Sequence, residues 1–137
     1  MSKRPPNNNP YGKAAQNYAA QGTRQEDGRE TEAKALLKAA KMLQDLQTSW
    51  DGTSQGKIEE ALKYNRRIWL LFYDNAVSSD ETVRPAALST NVVNLANFVF
   101  KRSTEILASP EANKLNILIS INREVATGLM AKRTEAK

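Results

Sequence analysis

Apolar residues recur at intervals of three and four positions along four stretches of the sequence, each about twenty residues long. This spacing places the apolar side chains along one side of an α-helix. The first stretch contains Leu36, Ala39, Leu43 and Leu46, and it follows Asp27-Gly-Arg-Glu30, which has the spacing of a helix capping box. No stretch shows the two-residue alternation of a strand. We therefore predict an all-α protein.

The links between these stretches are short and rich in residues that end helices. Asp51-Gly-Thr-Ser-Gln-Gly56 follows the first stretch, and Ser78-Ser-Asp-Glu-Thr82 follows the second. Before the fourth stretch, we expect Ser109 to be the helix N-cap and Pro110 the first helical residue. Because short links join antiparallel neighbours, the pattern predicts an antiparallel bundle of about four helices.

The first 25 residues differ in composition from the rest of the chain. They are rich in Pro, Asn, Gln, Gly and Ala, and their only large apolar side chains are Tyr11 and Tyr18. They contain four of the 20 basic residues and no acidic residue, which leaves 16 basic and 15 acidic residues, a formal charge of +1, for the remainder. We predict a disordered basic arm over residues 1–25, a bundle domain over residues 26–132 and a short tail over residues 133–137.

The inventory of side chains excludes several kinds of chemistry. The chain has no cysteine and no histidine, so it has no disulfide, no thiolate or imidazole metal site and no histidine for acid–base catalysis. Its carboxylates form no defensible catalytic or metal-binding pair. We expect no enzyme activity, cofactor, metal or small-molecule substrate. Because no apolar run is long enough to span a membrane, we predict a cytoplasmic protein without membrane contact.

Three polar residues occupy positions where the helical spacing calls for apolar side chains: Asn65, Arg102 and Asn122. An unpaired buried polar group would cost roughly 1–3 kcal/mol, so each needs a partner. One interpretation is a structural polar layer that fixes the register of the helices. The other is a groove in which the backbone of a binding partner supplies the missing hydrogen bonds.

The segment Ile68-Trp-Leu-Leu-Phe-Tyr73 contains more apolar residues than one side of a helix can hold. Trp69 and Phe72 continue the line of core-facing apolar positions of this helix, which we call the seam. Leu70, Leu71 and Tyr73 lie on other sides of the helix. Either this helix is covered on both sides within the bundle, or it presents an apolar patch that another protein covers. The sequence leaves both interpretations open.

Basic residues next to aromatic ones suggest a further, less favoured interpretation. Arg66 and Arg67 follow Tyr64, and Lys101 and Arg102 follow Phe98. Such a pattern can bind single-stranded RNA through stacking and phosphate contacts. Aromatic residues at helical spacing are nevertheless typical of the core of a small bundle, and direct RNA contact is the weaker hypothesis.

Four segments of the chain resemble the FlaF family of flagellin synthesis and flagellum biogenesis regulators of alphaproteobacteria. They are Arg29-Glu-Thr-Glu-Ala33, then Ala61-Leu-Lys-Tyr-Asn-Arg-Arg-Ile-Trp69, then Asn91-Val-Val-Asn-Leu95 with Lys101-Arg-Ser-Thr-Glu-Ile-Leu107, and last Lys114-Leu-Asn-Ile-Leu-Ile-Ser-Ile-Asn-Arg123. Leu36-Leu37, Phe98 and Gly128-Leu129 match as well, so the resemblance spans residues 29–129.

The resemblance implies a non-enzymatic cytoplasmic protein that regulates flagellin production, with flagellin and the regulator FlbT as partners. Our leading hypothesis is a flagellin-binding export chaperone that uses an apolar helix groove. The alternative is a post-transcriptional regulator that acts on flagellin messenger RNA directly or through FlbT, and a third possibility is a homodimer. The residues expected to bind a partner are Tyr64, Asn65, Arg66, Trp69, Leu71, Tyr73, Asn91, Asn94, Phe98, Arg102, Asn122 and Arg123.

Overall fold

The computed structural model describes the backbone of residues 10–78 and 86–135, and the side chains of residues 28–78 and 90–131. Within these ranges the chain forms four α-helices and two short 3₁₀ turns, one in the first link and one before the last helix. The helices are α1 (Pro10–Thr48), α2 (Gln55–Ser78), α3 (Ala86–Ala108) and α4 (Asn116–Glu135), and the turns are Trp50–Gly52 and Ala112–Leu115. The prediction of an all-α helical bundle is confirmed.

The helices pack as two antiparallel pairs joined by a third contact. Helix α1 lies along α4, α2 lies along α3, and α1 also packs against α2. The end of α1 meets the beginning of α4, where Gln47 Nε2 donates hydrogen bonds to Ala112 O (2.9 Å) and Asn116 Oδ1 (2.6 Å). None of the helices that the structure describes is both long and apolar enough to cross a bilayer.

The core contains the apolar residues that the helical spacing predicted. Leu36, Leu43, Leu62, Val99 and Leu118 are fully buried. Small side chains such as those of the buried alanines lie between them and let the helices approach closely. Each large aliphatic residue of this core stabilises the fold by roughly 1.5–3 kcal/mol through burial.

The predicted start of the first helix at Asp27 is wrong, because α1 already begins at Pro10. Proline is favoured at the first position of a helix, and the residues that follow include several alanines and glutamines, which are good helix formers. The separation of an arm (residues 1–25) from the bundle domain stays a prediction. Residues 1–9 lie outside the described residues, and no side chain before Gly28 is described.

The predicted start of the last helix is also wrong. Ser109 directly follows α3 and continues its hydrogen bonding, since its backbone N–H donates to Glu105 O (3.0 Å). Its carbonyl accepts a hydrogen bond from Lys114 Nζ (2.7 Å). Glu111 is extended, with φ −147° and ψ 136°, and the 3₁₀ turn separates it from α4. Ser109 therefore belongs to the end of α3. Pro110 follows the end of this helix and does not start the next one.

Candidate functional site

A cluster of buried polar side chains lies inside the bundle. Trp69 Nε1 donates a hydrogen bond to Asn122 Oδ1 (3.0 Å), and Asn122 Nδ2 donates to Asn65 Oδ1 (2.6 Å) and more weakly to Leu36 O (3.4 Å). Asn65 and Asn122 are fully buried, and Trp69 is 1% exposed. We call Asn65, Trp69 and Asn122 the polar cluster. It joins α2 to α4 and to the backbone of α1.

The polar cluster matches the first of the two interpretations offered by the sequence, a structural layer that fixes helix register. Each hydrogen bond joins different helices, so a shift of one helix along another would leave buried groups unpaired. Asn65 Nδ2 is the exception, because it is buried and has no hydrogen-bond partner. In this structure Asn65, Trp69 and Asn122, which we expected to bind a partner, lie in the core and contact each other.

Helix α2 places several large apolar side chains on its outer surface. Leu70 is 44% exposed, Leu71 is 63% exposed and Val77 is 56% exposed. Trp69 is buried, and Phe72 packs edge-on against its ring with the centroids 5.1 Å apart. The segment Ile68–Tyr73 is thus divided: its seam residues complete the core, and its two central leucines face outward.

A shallow groove of about 350 Å³ lies between α2 and α3. Its floor is formed by Leu62 and Leu70 from α2 and Leu107 from α3. Its rim carries the charged residues Glu59, Lys63, Arg66 and Arg67. We call these seven residues the α2–α3 groove. The floor is aliphatic and the rim is mostly basic.

Beyond the groove lining, further apolar side chains extend the apolar surface of α2 toward the end of this helix. Tyr73 follows Leu70 by one helical turn and packs against Phe100 of α3, with ring centroids 6.3 Å apart. Val77 lies one turn further along α2. From Leu62 to Val77 the apolar positions cover about four helical turns, or roughly 22 Å, of the α2 surface.

The remaining predicted site residues are spread over other surfaces. Tyr64 lies beside α1, where Lys38 Nζ is 5.2 Å from the centre of its ring. Leu71 is outside the groove lining. Arg123, on the α1–α4 side, donates to Gln44 Oε1 (2.5 Å).

On α3, a different side of the helix carries four of the predicted residues. Arg102 covers the ring of Phe98 at 5.5 Å, and both lie away from Phe100, because residues two apart on a helix point in different directions. Arg102 Nε is 3.2 Å from Glu105 Oε1, an ion pair without the geometry of a hydrogen bond. Asn91 and Asn94 are exposed.

The structure therefore does not gather the predicted residues into one site. Only Arg66 lines the α2–α3 groove, and Tyr73 lies at its extension. The predicted partner-binding residues did not include Leu70, Leu107, Lys63 and Arg67, which line the groove. The off-seam position of Leu70 was a usable signal, but Leu107 gave none, because its place opposite α2 depends on how two helices pack.

Comparison with known proteins gives one result. The model of the family described as Flagellar protein FlaF matches residues 14–129, which is most of the chain. No curated protein and no solved structure gives a significant match. The matched range covers α2 and α3 completely and most of α1 and α4, and it contains both the polar cluster and the α2–α3 groove.

Proposed function

The chain belongs to the FlaF family of flagellar proteins, and from this premise we propose that it is a non-enzymatic, cytoplasmic flagellin-binding chaperone. It holds an amphipathic helix of flagellin in the α2–α3 groove and so promotes flagellin production and export. The observation that carries this proposal is the apolar outer surface of α2, which has no covering partner among the described residues. FlbT would act as a second partner on another surface of the bundle.

The shape of the groove supports a helical ligand. An amphipathic helix binds in a groove through apolar side chains at positions i, i+3 or i+4 and i+7. The apolar positions from Leu62 to Val77 are spaced by helical turns, so they can contact several such side chains in succession. A helix bound there covers Leu70 and Val77, two of the most exposed apolar side chains of the described chain.

The chemistry of an export client also fits an apolar groove. The apolar stripe of an amphipathic helix promotes aggregation while it has no partner, and a chaperone covers it until the client is exported. This task requires binding and release and involves no bond-breaking step. Flagellin is proposed as the client because the family is flagellar.

Calorimetric titration of the full-length protein with flagellin, at low and at high salt, tests the proposal. We expect a negative heat-capacity change and binding that persists at high salt, because burial of apolar surface dominates. Flagellin that lacks its terminal helices should not bind. Affinity for flagellin messenger RNA is measured in parallel. If flagellin does not bind and the affinity for the RNA falls about a thousandfold or more as salt rises, the post-transcriptional alternative replaces the chaperone.

A matched pair of variants locates the binding surface. Leu70→Gln removes an apolar side chain from the groove, and Leu37→Gln removes one from α1, whose exposure of 46% is close to the 44% of Leu70. Glutamine keeps a good helix former at both positions. We expect weaker flagellin binding for Leu70→Gln alone, and equal effects of the two variants would contradict the assignment of the groove.

Sedimentation of the free protein separates a client groove from a dimer interface. A monomer at working concentration leaves the groove free for a client. A dimer that Leu70→Gln dissociates would show that a second copy occupies the groove, in contradiction to the proposal.

A further inference from the structure

The three cations on the rim of the α2–α3 groove have no ion-pair partner among the described residues. The described ion pairs are Lys34–Glu30, Lys41–Asp45, Arg102–Glu105 and Lys114–Glu111. Lys63, Arg66 and Arg67 take part in none of them, and all three side chains are exposed.

The one carboxylate on the rim does not neutralise them. Glu59 precedes Lys63 by four residues, the spacing and order that favour an ion pair on a helix. No ion pair between them forms in this structure, whereas Lys34 and Glu30 form one at 3.3 Å with the same spacing. The groove thus combines an aliphatic floor with three cations against a single carboxylate.

We propose that the α2–α3 groove selects an amphipathic helix whose apolar stripe is flanked by carboxylates, and that Lys63, Arg66 and Arg67 determine this selectivity. This inference rests on the proposed function and specifies the chemistry of the client helix. The leucine floor receives the apolar stripe, and the guanidinium groups of Arg66 and Arg67 bind Asp or Glu side chains, with which they can form paired hydrogen bonds. Exposed charges at the edge of an interface chiefly set specificity and association rate.

The floor of the groove favours a protein helix over a nucleic acid as the anionic ligand. Single-stranded nucleic acids bind through bases stacked on aromatic rings, in addition to phosphate contacts. Leu62, Leu70 and Leu107 form the floor, and no aromatic ring lines the groove. Tyr73 and Phe100, at its extension, pack against each other with their rings tilted by 58°.

Three synthetic helical peptides test the selectivity with the full-length protein. They share one length and one leucine stripe, and the positions beside the stripe carry Glu, Gln or Lys. At low salt we expect the Glu peptide to bind about tenfold more tightly than the Lys peptide, with the Gln peptide between them. The preference should shrink toward equality as salt screens the exposed charges.

Two double variants show whether the named residues cause the preference. Arg66→Gln/Arg67→Gln should bring the ratio of Glu-peptide to Lys-peptide affinity close to one, with each affinity expressed relative to that of the Gln peptide for the same protein. The matched control, Lys34→Gln/Lys41→Gln, removes the same charge from α1, where both lysines are already paired. It should leave the ratio as in the wild type.

The outcomes separate this inference from the proposed function. If Leu70→Gln weakens the binding of all peptides and of flagellin but the wild type shows no preference among the peptides, the groove stands and the charge selectivity is overturned. If Leu70→Gln affects neither the peptides nor flagellin, both are overturned. A single-stranded RNA that displaces the Glu peptide from the wild type but not from Arg66→Gln/Arg67→Gln would show that the cations bind phosphate, and would overturn the inference as well.

Discussion

Helix α2 departs from an ordinary amphipathic helix at two places: its apolar inner surface contains the polar Asn65, and its charged outer surface carries exposed leucines. Inside, Asn65 and Trp69 form hydrogen bonds with Asn122 of α4. Outside, Leu70 and Leu71 are exposed and have no partner among the described residues that covers them. The buried polar side chains find their hydrogen-bond partners within the chain, so their role is to stabilise the fold. The exposed leucines have no such partner among the described residues, and we propose that another molecule covers them.

This contrast makes opposite predictions for the two regions. Changes in the polar cluster should alter the free energy of unfolding. Affinity for the client is then measured on the fraction of the protein that remains folded. Changes on the outer surface should alter binding and leave the free energy of unfolding almost as it was.

The largest effect should come from Asn122→Leu. The substitution leaves Trp69 Nε1 and Asn65 Oδ1 buried without a partner, and it removes the weaker bond to Leu36 O. We expect the free energy of unfolding to fall by roughly 2–5 kcal/mol, the cost of two or more unsatisfied buried groups. Urea denaturation followed by circular dichroism measures this.

The control for Asn122→Leu is Asn97→Leu, an exposed position on α3. It should change the free energy of unfolding by no more than about 0.5 kcal/mol. Equal denaturation midpoints for Asn122→Leu and the wild type would mean that the polar cluster does not stabilise the fold.

The next effect concerns binding at the groove. Leu70→Gln should weaken the affinity for flagellin about tenfold to a hundredfold, because an apolar contact at the centre of an interface is replaced by an amide that the client cannot pair. The free energy of unfolding should stay within about 0.5 kcal/mol of the wild type, since Leu70 is already exposed. Calorimetric titration and urea denaturation of one preparation measure both quantities. A loss of stability with unchanged affinity would assign Leu70 to the core.

Asn65→Leu should destabilise the protein less than Asn122→Leu. Asn65 Nδ2 has no partner in the folded protein, so its removal eliminates an existing penalty. The loss is the bond from Asn122 Nδ2, which retains a weak bond to Leu36 O. We expect a decrease of about 1 kcal/mol or less in the free energy of unfolding. A decrease as large as that of Asn122→Leu would show that Asn65 Nδ2 has a partner.

The smallest effect should come from Leu71→Gln. Leu71 is the most exposed of the large apolar residues, but it lies outside the groove lining. We expect less than about a threefold change in flagellin affinity, within the range of peripheral interface positions. An effect equal to that of Leu70→Gln, measured by the same titration, would move the binding surface to the side of α2 away from α3.

The features that could be predicted from the sequence are those that depend on one helix at a time. The spacing of Leu36 and Leu43, or of Leu62 and Trp69, identified buried residues and an all-α fold, because a helical period needs no knowledge of other helices. The same reasoning gave wrong helix starts at Asp27 and Ser109. In both places the residues have suitable capping chemistry, but the neighbouring sequence or the end of α3 decides the outcome.

The features that depend on two helices were beyond one sequence. Asn65 and Asn122 are 57 positions apart, and their pairing follows from the register between α2 and α4. Leu70 and Leu107 form one floor only because α2 and α3 are antiparallel neighbours. Reasoning from residue type alone therefore assigned Asn65, Trp69 and Asn122 to a partner site. It did not identify Leu107 and Lys63 as residues that line the groove.

The most direct test of the contrast between the two surfaces of α2 is a methyl and indole NMR titration of the full-length protein with the terminal helices of flagellin. We predict shifts for the methyl groups of Leu70, Val77 and Leu107, with the Trp69 indole N–H and the Leu37 methyl groups unchanged. That result would show that the client binds the outer surface while the polar cluster stays closed. A shifted Trp69 indole signal with unmoved Leu70 and Leu107 methyl groups would contradict the account, because the client would then act on the interior of the bundle.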